Sequence, residues 1–201
     1  MDHYYTIEKS SLAEYKDRGS RFIAYAYPIQ TVEDFKKNWK ALKEEHPKAV
    51  HHCFAYRLGT DKNNFRSSDD GEPSGSAGKP ILGQIDSKEL TNVAIIVVRY
   101  FGGTLLGVPG LINAYKTSAS LALQVTPIVQ KPVLINYELH FDYTLINDVM
   151  MAVKRFGCQV LENESQLFCR MVIGIPKASL DLCLGKLRDM HGLEVTLANN
   201  P

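Results

Sequence analysis

Between residues 135 and 142 the chain alternates strictly. Ile135, Tyr137, Leu139 and Phe141 are apolar, while Asn136, Glu138, His140 and Asp142 are polar. A period of two predicts a strand with one buried face. Thr144 is placed to cap a helix carrying Leu145, Val149, Val153 and Phe156, and Gly157 stands where a left-handed C-terminal cap belongs. Residues 158–164 and 168–175 read as two strands around a turn. Leu180, Cys183, Leu184 and Leu187 mark a second helix ending at Gly192, and residues 193–197 read as a closing strand. The order is β-α-β-β-α-β, the split βαβ or ferredoxin-like arrangement. The two helix exits, 156–160 and 191–195, read as related half-repeats.

The first half is less regular. Two short strand-like runs, 11–16 and 21–27, flank the turn residues Asp17-Arg18-Gly19-Ser20. Thr31 and Asp34 match a capping box, and Phe35, Trp39 and Leu42 then form one apolar stripe of a helix that Pro47 ends. Residues 51–57 read as a strand. The polar segment 59–73 fits neither period, and 75–85 reads as a helix opening in small residues. Residues 93–100 are nearly continuous Val, Ile and Ala, the signature of a strand buried on both faces. After a glycine-rich stretch, a helix over 111–125 carries Leu111, Tyr115, Ser118 and Ala122 on one side. The two prolines of 126–132 mark this segment as a linker. The expected organisation is therefore α+β in two domains, 1–130 and 131–201.

Composition changes this picture little. The 201 residues are 45% apolar and 22% charged, enough for a sizeable core, and the net charge is +1. The two halves carry +2 and −1, without the bulk charge of a strong nucleic-acid binder. No apolar run is long enough to span a membrane, and the first residues do not read as a signal peptide. Cys53, Cys158, Cys169 and Cys183 include no C-x-x-C pair, so buried free thiols in a cytoplasmic protein are expected. In the second half, the polar side of the first strand offers Asn136, Glu138, His140 and Asp142, with Phe168 as the one obvious aromatic on the third. That acidic face argues against RNA recognition by base stacking.

Three clusters in the first half could carry chemistry. In Ser67-Ser68-Asp69-Asp70-Gly71-Glu72-Pro73-Ser74-Gly75-Ser76-Ala77-Gly78-Lys79-Pro80, the carboxylates of Asp69, Asp70 and Glu72 could hold Mg²⁺ or act as a base. The alternative is a solvated turn of residues that suit tight backbone geometry. Between the buried strand and the next helix, Gly102-Gly103-Thr104-Leu105-Leu106-Gly107-Val108-Pro109-Gly110 could bring backbone N–H groups to a phosphate, with Arg99 and Lys116 adding charge. The alternative is a turn packed closely against a neighbour. In the third, His51, Cys53, Ala55 and Arg57 share one strand face. There Cys53 is either a nucleophile served by His51 or a small buried hydrophobe.

Together these clusters resemble the IMPACT/YigZ family. The resemblance rests on Ser20-Arg21-Phe22-Ile23-Ala24, on 49–57 with His51, on Ser68-Asp69-Asp70-Gly71-Glu72-Pro73-Ser74-Gly75 with Ala77-Gly78-Lys79-Pro80, and on Val98-Arg99-Tyr100-Phe101-Gly102-Gly103 running to Gly107, Gly110-Leu111 and Ala114-Tyr115. The matches span about residues 20–125; the second half resembles the C-terminal domain of the bacterial YigZ branch more loosely. The sequence departs from the family at Val108-Pro109, where another glycine is common, and near Asn113, where a basic residue is common. The resemblance implies a first domain like domain 2 of ribosomal protein S5 and a ferredoxin-like second domain. Eukaryotic relatives regulate translation by competing for the activator of a general-control kinase, so it also implies a partner in translation.

The resulting expectation is a cytoplasmic protein that binds RNA or a translation-related partner, without covalent catalysis and with no cofactor. A metal-dependent enzyme acting on a phosphorylated substrate through the acidic loop is one alternative, and a protein-interaction module is the other. The candidate ligand-binding residues are His51, Arg57, Asp69, Asp70, Glu72, Ser74, Lys79, Arg99, Tyr100, Gly102, Gly103 and Lys116. The His51 strand, the acidic loop and the glycine-rich turn are expected to line one cleft.

Overall fold

The computed structural model describes residues 1–198. By chain contacts the protein divides into one unit over Tyr4–Lys131 and a second from Pro132 onward that also takes Met1–His3. Apart from His3 and Pro132, which fall in the second, the first unit holds β1 (His3–Ile7), β2 (Ser11–Asp17), β3 (Ser20–Pro28), α1 (Val32–Glu45), β4 (His51–Leu58), β5 (Asn64–Ser68), α2 (Gly78–Ser87), β6 (Val93–Tyr100), α3 (Gly107–Gln124) and β7 (Ile128–Pro132). The second adds β8 (Leu134–Asp142), α4 (Ile146–Arg155), β9 (Gln159–Ser165), β10 (Phe168–Pro176), α5 (Leu180–Arg188) and β11 (Glu194–Leu197). The protein is α+β, in two units.

In the first unit, five strands pair antiparallel in the order β2-β3-β6-β4-β5. The apolar run of β6 lies at the centre, where both faces need covering. Phe22, Ala24, Cys53, Ala55, Ile95 and Val97 pack with Ile81 and Ile85 of α2 and with Leu111, Tyr115, Ala119 and Ala122 of α3. On the other face Ile23, Phe54, Tyr56, Ala94, Ile96 and Val98 pack with Phe35 and Leu42 of α1. The α1 start has both halves of the capping box, with Thr31 accepting from the Asp34 N–H at 3.1 Å and the Asp34 carboxylate accepting from the Thr31 N–H at 2.9 Å. The backbone N–H groups of Gln30 and Thr31, both donating to it, hold the Asp34 carboxyl below its usual pKa.

The second unit forms one antiparallel sheet in the order β11-β8-β10-β9. Leu139, Phe141, Met171, Ile173 and Ile175 pack with Val149, Val153, Cys183, Leu184 and Leu187 of α4 and α5. Gly157 and Gly192 both take positive φ, as the helix exits require.

Several elements differ from the sequence reading. The polar 59–73 segment contains β5, which pairs with β4 at the sheet edge. Its residues are almost all exposed, so no buried face wrote a period into the sequence. The segment taken as a linker contains β7, which pairs with β1, a strand the sequence reading lacked. Helix α3 begins at Gly107 rather than Leu111, because Pro109 falls in its first turn, where no backbone N–H is needed. After β8 it is Asp142, not Thr144, that caps, accepting from the Thr144 N–H at 2.9 Å.

Candidate functional site

The site is built on one cross-strand row. Tyr15 lies opposite Phe22, Phe22 opposite Arg99, and Arg99 opposite His51. Directly paired residues share a sheet face, so this row lies beneath α3. The Arg99 guanidinium stands near the Phe22 and Phe101 rings, with its central carbon 5.4 and 5.7 Å from their centroids. Its side chain is 6% exposed, and Glu72, at 3%, meets it with Oε1 at 2.6 Å. Tyr115 of α3 donates to the same Oε1 at 2.6 Å. Ser20 Oγ accepts from the Gly102 N–H at 3.1 Å and lies 3.5 Å from Arg99 Nη2. Arg99 Nε is buried without a hydrogen-bond partner among the described residues.

The acidic loop folds over the end of β4. The Asp69 carboxylate accepts from the backbone N–H groups of Gly75, Ala77 and Gly78 at 2.8–3.0 Å. The Asp70 carboxylate accepts from the His52 N–H at 2.7 Å. Asp70 and Gly71 both take positive φ, and a Cβ on Gly71 would press on the His51 ring at 3.3 Å. The three carboxylates are thus directed into the fold, and among the described residues no group of His, Cys, Asp and Glu is arranged to hold a metal ion. The solvated-turn alternative also needs amending, because Asp69 and Asp70 bind this loop's own backbone and that of β4.

Cys53 is fully buried, with Sγ 2.9 Å from the Asp69 carbonyl and 3.3 Å from the Tyr115 hydroxyl. Burial pushes its thiol pKa up, against the needs of a nucleophile. Burial likewise raises the Tyr115 phenol, which stays a donor to Glu72. The Ser76 hydroxyl donates to the Pro73 carbonyl at 2.6 Å, and Ser74 is exposed.

A groove of about 400 Å³ opens over this floor, lined by His51, Glu72 and Arg99 and walled by apolar side chains that include Val50, Phe101, Leu105, Val108 and Leu111. His51, the acidic loop and the glycine-rich turn therefore meet in one place. Of the twelve candidates only His51, Glu72 and Arg99 line the groove; Asp69, Asp70, Ser74, Gly102 and Gly103 belong to the adjoining loop and turn, and four lie elsewhere. Arg57 lies towards the other end of β4, paired with Asp86 at 2.7 Å and donating to the Lys62 carbonyl. Tyr100 faces α1, where its hydroxyl meets His46 Nδ1 at 2.8 Å. Lys79 and Lys116 are exposed, and neither lines the groove. Arg99, Lys79 and Lys116 thus do not form the basic patch that a phosphate cradle requires. Gly102 explains the close-packing alternative: a Cβ there would lie 1.9 Å from the Gly19 carbonyl carbon.

Tyr115, Ser20 and the apolar walls escaped the sequence reading of the site. Tyr115 carried one signal, a phenol on the helix side it shares with Leu111 and Ala122, since a buried Tyr hydroxyl needs a partner. Ser20, Phe101 and Leu111 were marked only by standing in the strings that carry the family resemblance, and Leu105 and Val108 only by lying in the glycine-rich cluster.

Apart from Tyr15, these residues lie within 18–123, the segment matched by the family model described as the Impact N-terminal domain. An IMPACT family member of Haemophilus influenzae is 33% identical over 188 residues, covering 92% of this chain and 91% of that one. The IMPACT family member YigZ of Escherichia coli is 33% identical over 172 residues, covering 85% and 84%. Among solved structures, a crystal structure described as that of a hypothetical protein superposes with a TM-score of 0.77 at 29% identity, covering both chains fully.

Proposed function

The chain belongs to the IMPACT family, and from that premise we propose that it is a cytoplasmic regulator of translation that docks a protein component of the translation machinery in the groove of its first unit. The observation that carries the reading is the contrast between the groove's walls and its floor. Leu105 is 81% exposed, and Val50, Phe101 and Val108 are exposed beside it. Clustered exposed apolar side chains of this kind mark interaction surfaces. The one guanidinium on the floor is paired with Glu72 and nearly inaccessible. Nucleic acid is bound chiefly through free cations facing phosphates, so a protein partner fits this groove better than RNA.

The test is co-sedimentation of the full chain with ribosomal fractions of its own cells, with and without nuclease. Binding that survives nuclease and is lost in Leu105→Asp, but kept in Arg57→Ala, is the expected result. Binding abolished by nuclease and falling steeply with salt would favour RNA instead, and equal binding by Leu105→Asp would remove the groove from the account.

A further inference from the structure

His51 Nδ1 lies 2.7 Å from the Asp70 carbonyl oxygen. A carbonyl cannot donate, so Nδ1 carries the proton of that bond. In the neutral ring, Nε2 is then an acceptor, and it faces Glu72 Oε2 at 3.7 Å. The other oxygen of Glu72 is taken up by Arg99 and Tyr115. With the ring neutral, two acceptors face one another, beyond hydrogen-bond distance, among the polar residues that line an otherwise apolar groove. A donor seated between them would satisfy both.

We propose that this pair, His51 Nε2 and Glu72 Oε2, receives the ammonium of a lysine side chain presented by the partner polypeptide, with the lysine's methylene stem lying along Phe101, Leu105 and Val108. The inference rests on the docking reading above and names the chemistry of its anchor. An ammonium nitrogen about 2.9 Å from each acceptor would subtend roughly 80° between them, somewhat inside the tetrahedral angle and within the bending that hydrogen bonds tolerate. Charge does not oppose it, because Arg99, the one cation among the groove's lining residues, is already paired with Glu72. A long aliphatic stem with a charged head suits apolar walls with polar residues among them.

The experiment titrates the full chain with Nα-acetyl-lysine methylamide and, separately, with Nα-acetyl-norleucine methylamide, which keeps the stem and lacks the amine. The readouts are His51 ring nitrogen shifts and Leu and Val methyl shifts. Lysine should shift both sets of signals and bind at least tenfold more tightly than norleucine. His51→Ala should abolish that preference while the methyl spectrum shows the fold retained, and Leu105→Ser should weaken both ligands alike. Equal affinity for the two ligands, no shift with lysine, or a ligand-free His51 with protons on both nitrogens near neutral pH would each overturn the proposal. Those results would leave the co-sedimentation outcome untouched, so the anchor and the docking surface fail separately.

Discussion

Gly102 and Gly103 adjoin in the turn after β6, but for different reasons. At Gly102 a Cβ would lie 1.9 Å from the Gly19 carbonyl carbon and 2.2 Å from the Ser20 nitrogen, both backbone atoms that cannot swing aside. Gly103 has open space around it but takes φ +85°, which an L side chain resists. Gly102→Ala should therefore cost about 3 kcal/mol, at the upper end of overpacking, and Gly103→Ala roughly 1–2 kcal/mol. Urea unfolding of the two variants checks the order. His52 gives a pH dependence at the same scale. Its Nε2 is buried without a partner among the described residues, and burial lowers its pKa from 6.5. The unfolded chain then binds the proton more readily than the folded one. The contribution is fully present above about pH 6.5 and is lost as pH falls towards the lowered folded value. His52→Leu should flatten the stability profile in that window, whereas an unchanged slope would place the effect elsewhere.

At the scale of elements, what the sequence disclosed follows from what each element buries. The α1 cap needs only Thr31 and Asp34 three residues apart, so it was legible and the structure contains it. Thr31→Ala should cost about 1 kcal/mol, seen in thermal unfolding. Strands β6 and β8 were legible because their burial writes a pattern, whereas β5 is exposed and wrote none. Strand β7 was hidden by prolines that look like linker punctuation, although Pro132 ends the strand. The site divides in the same way. Alternation along β4 and β6 sets His51 and Arg99 on one face, and their pairing makes them neighbours. The direction of the acidic side chains was not legible. Asp69 binds N–H groups six to nine residues ahead, and only the closed loop brings those within reach. Free carboxylates and capping carboxylates look identical in sequence.

At the scale of the whole molecule, the two units hold separate buried clusters with no residue in common. The single tryptophan, Trp39, lies in α1 and donates from Nε1 to the His52 carbonyl at 3.1 Å, so its fluorescence reports on the first unit. The second unit is small, and a short chain buries a lesser share of its surface, which leaves little reserve of stability. Met171 is fully buried at the centre of its sheet, between β8 and β9. Truncation there removes packing that neighbours only partly refill, at a cost of roughly 2–5 kcal/mol. Met171→Ala should therefore move the far-UV circular dichroism transition of the second unit to markedly lower urea, while the Trp39 fluorescence midpoint stays within about 0.5 kcal/mol of the parent, as expected for distant sites without shared partners. A Trp39 midpoint that falls together with the circular dichroism signal would mean that the units unfold as one. Mutations in the second unit would then reach the groove through stability.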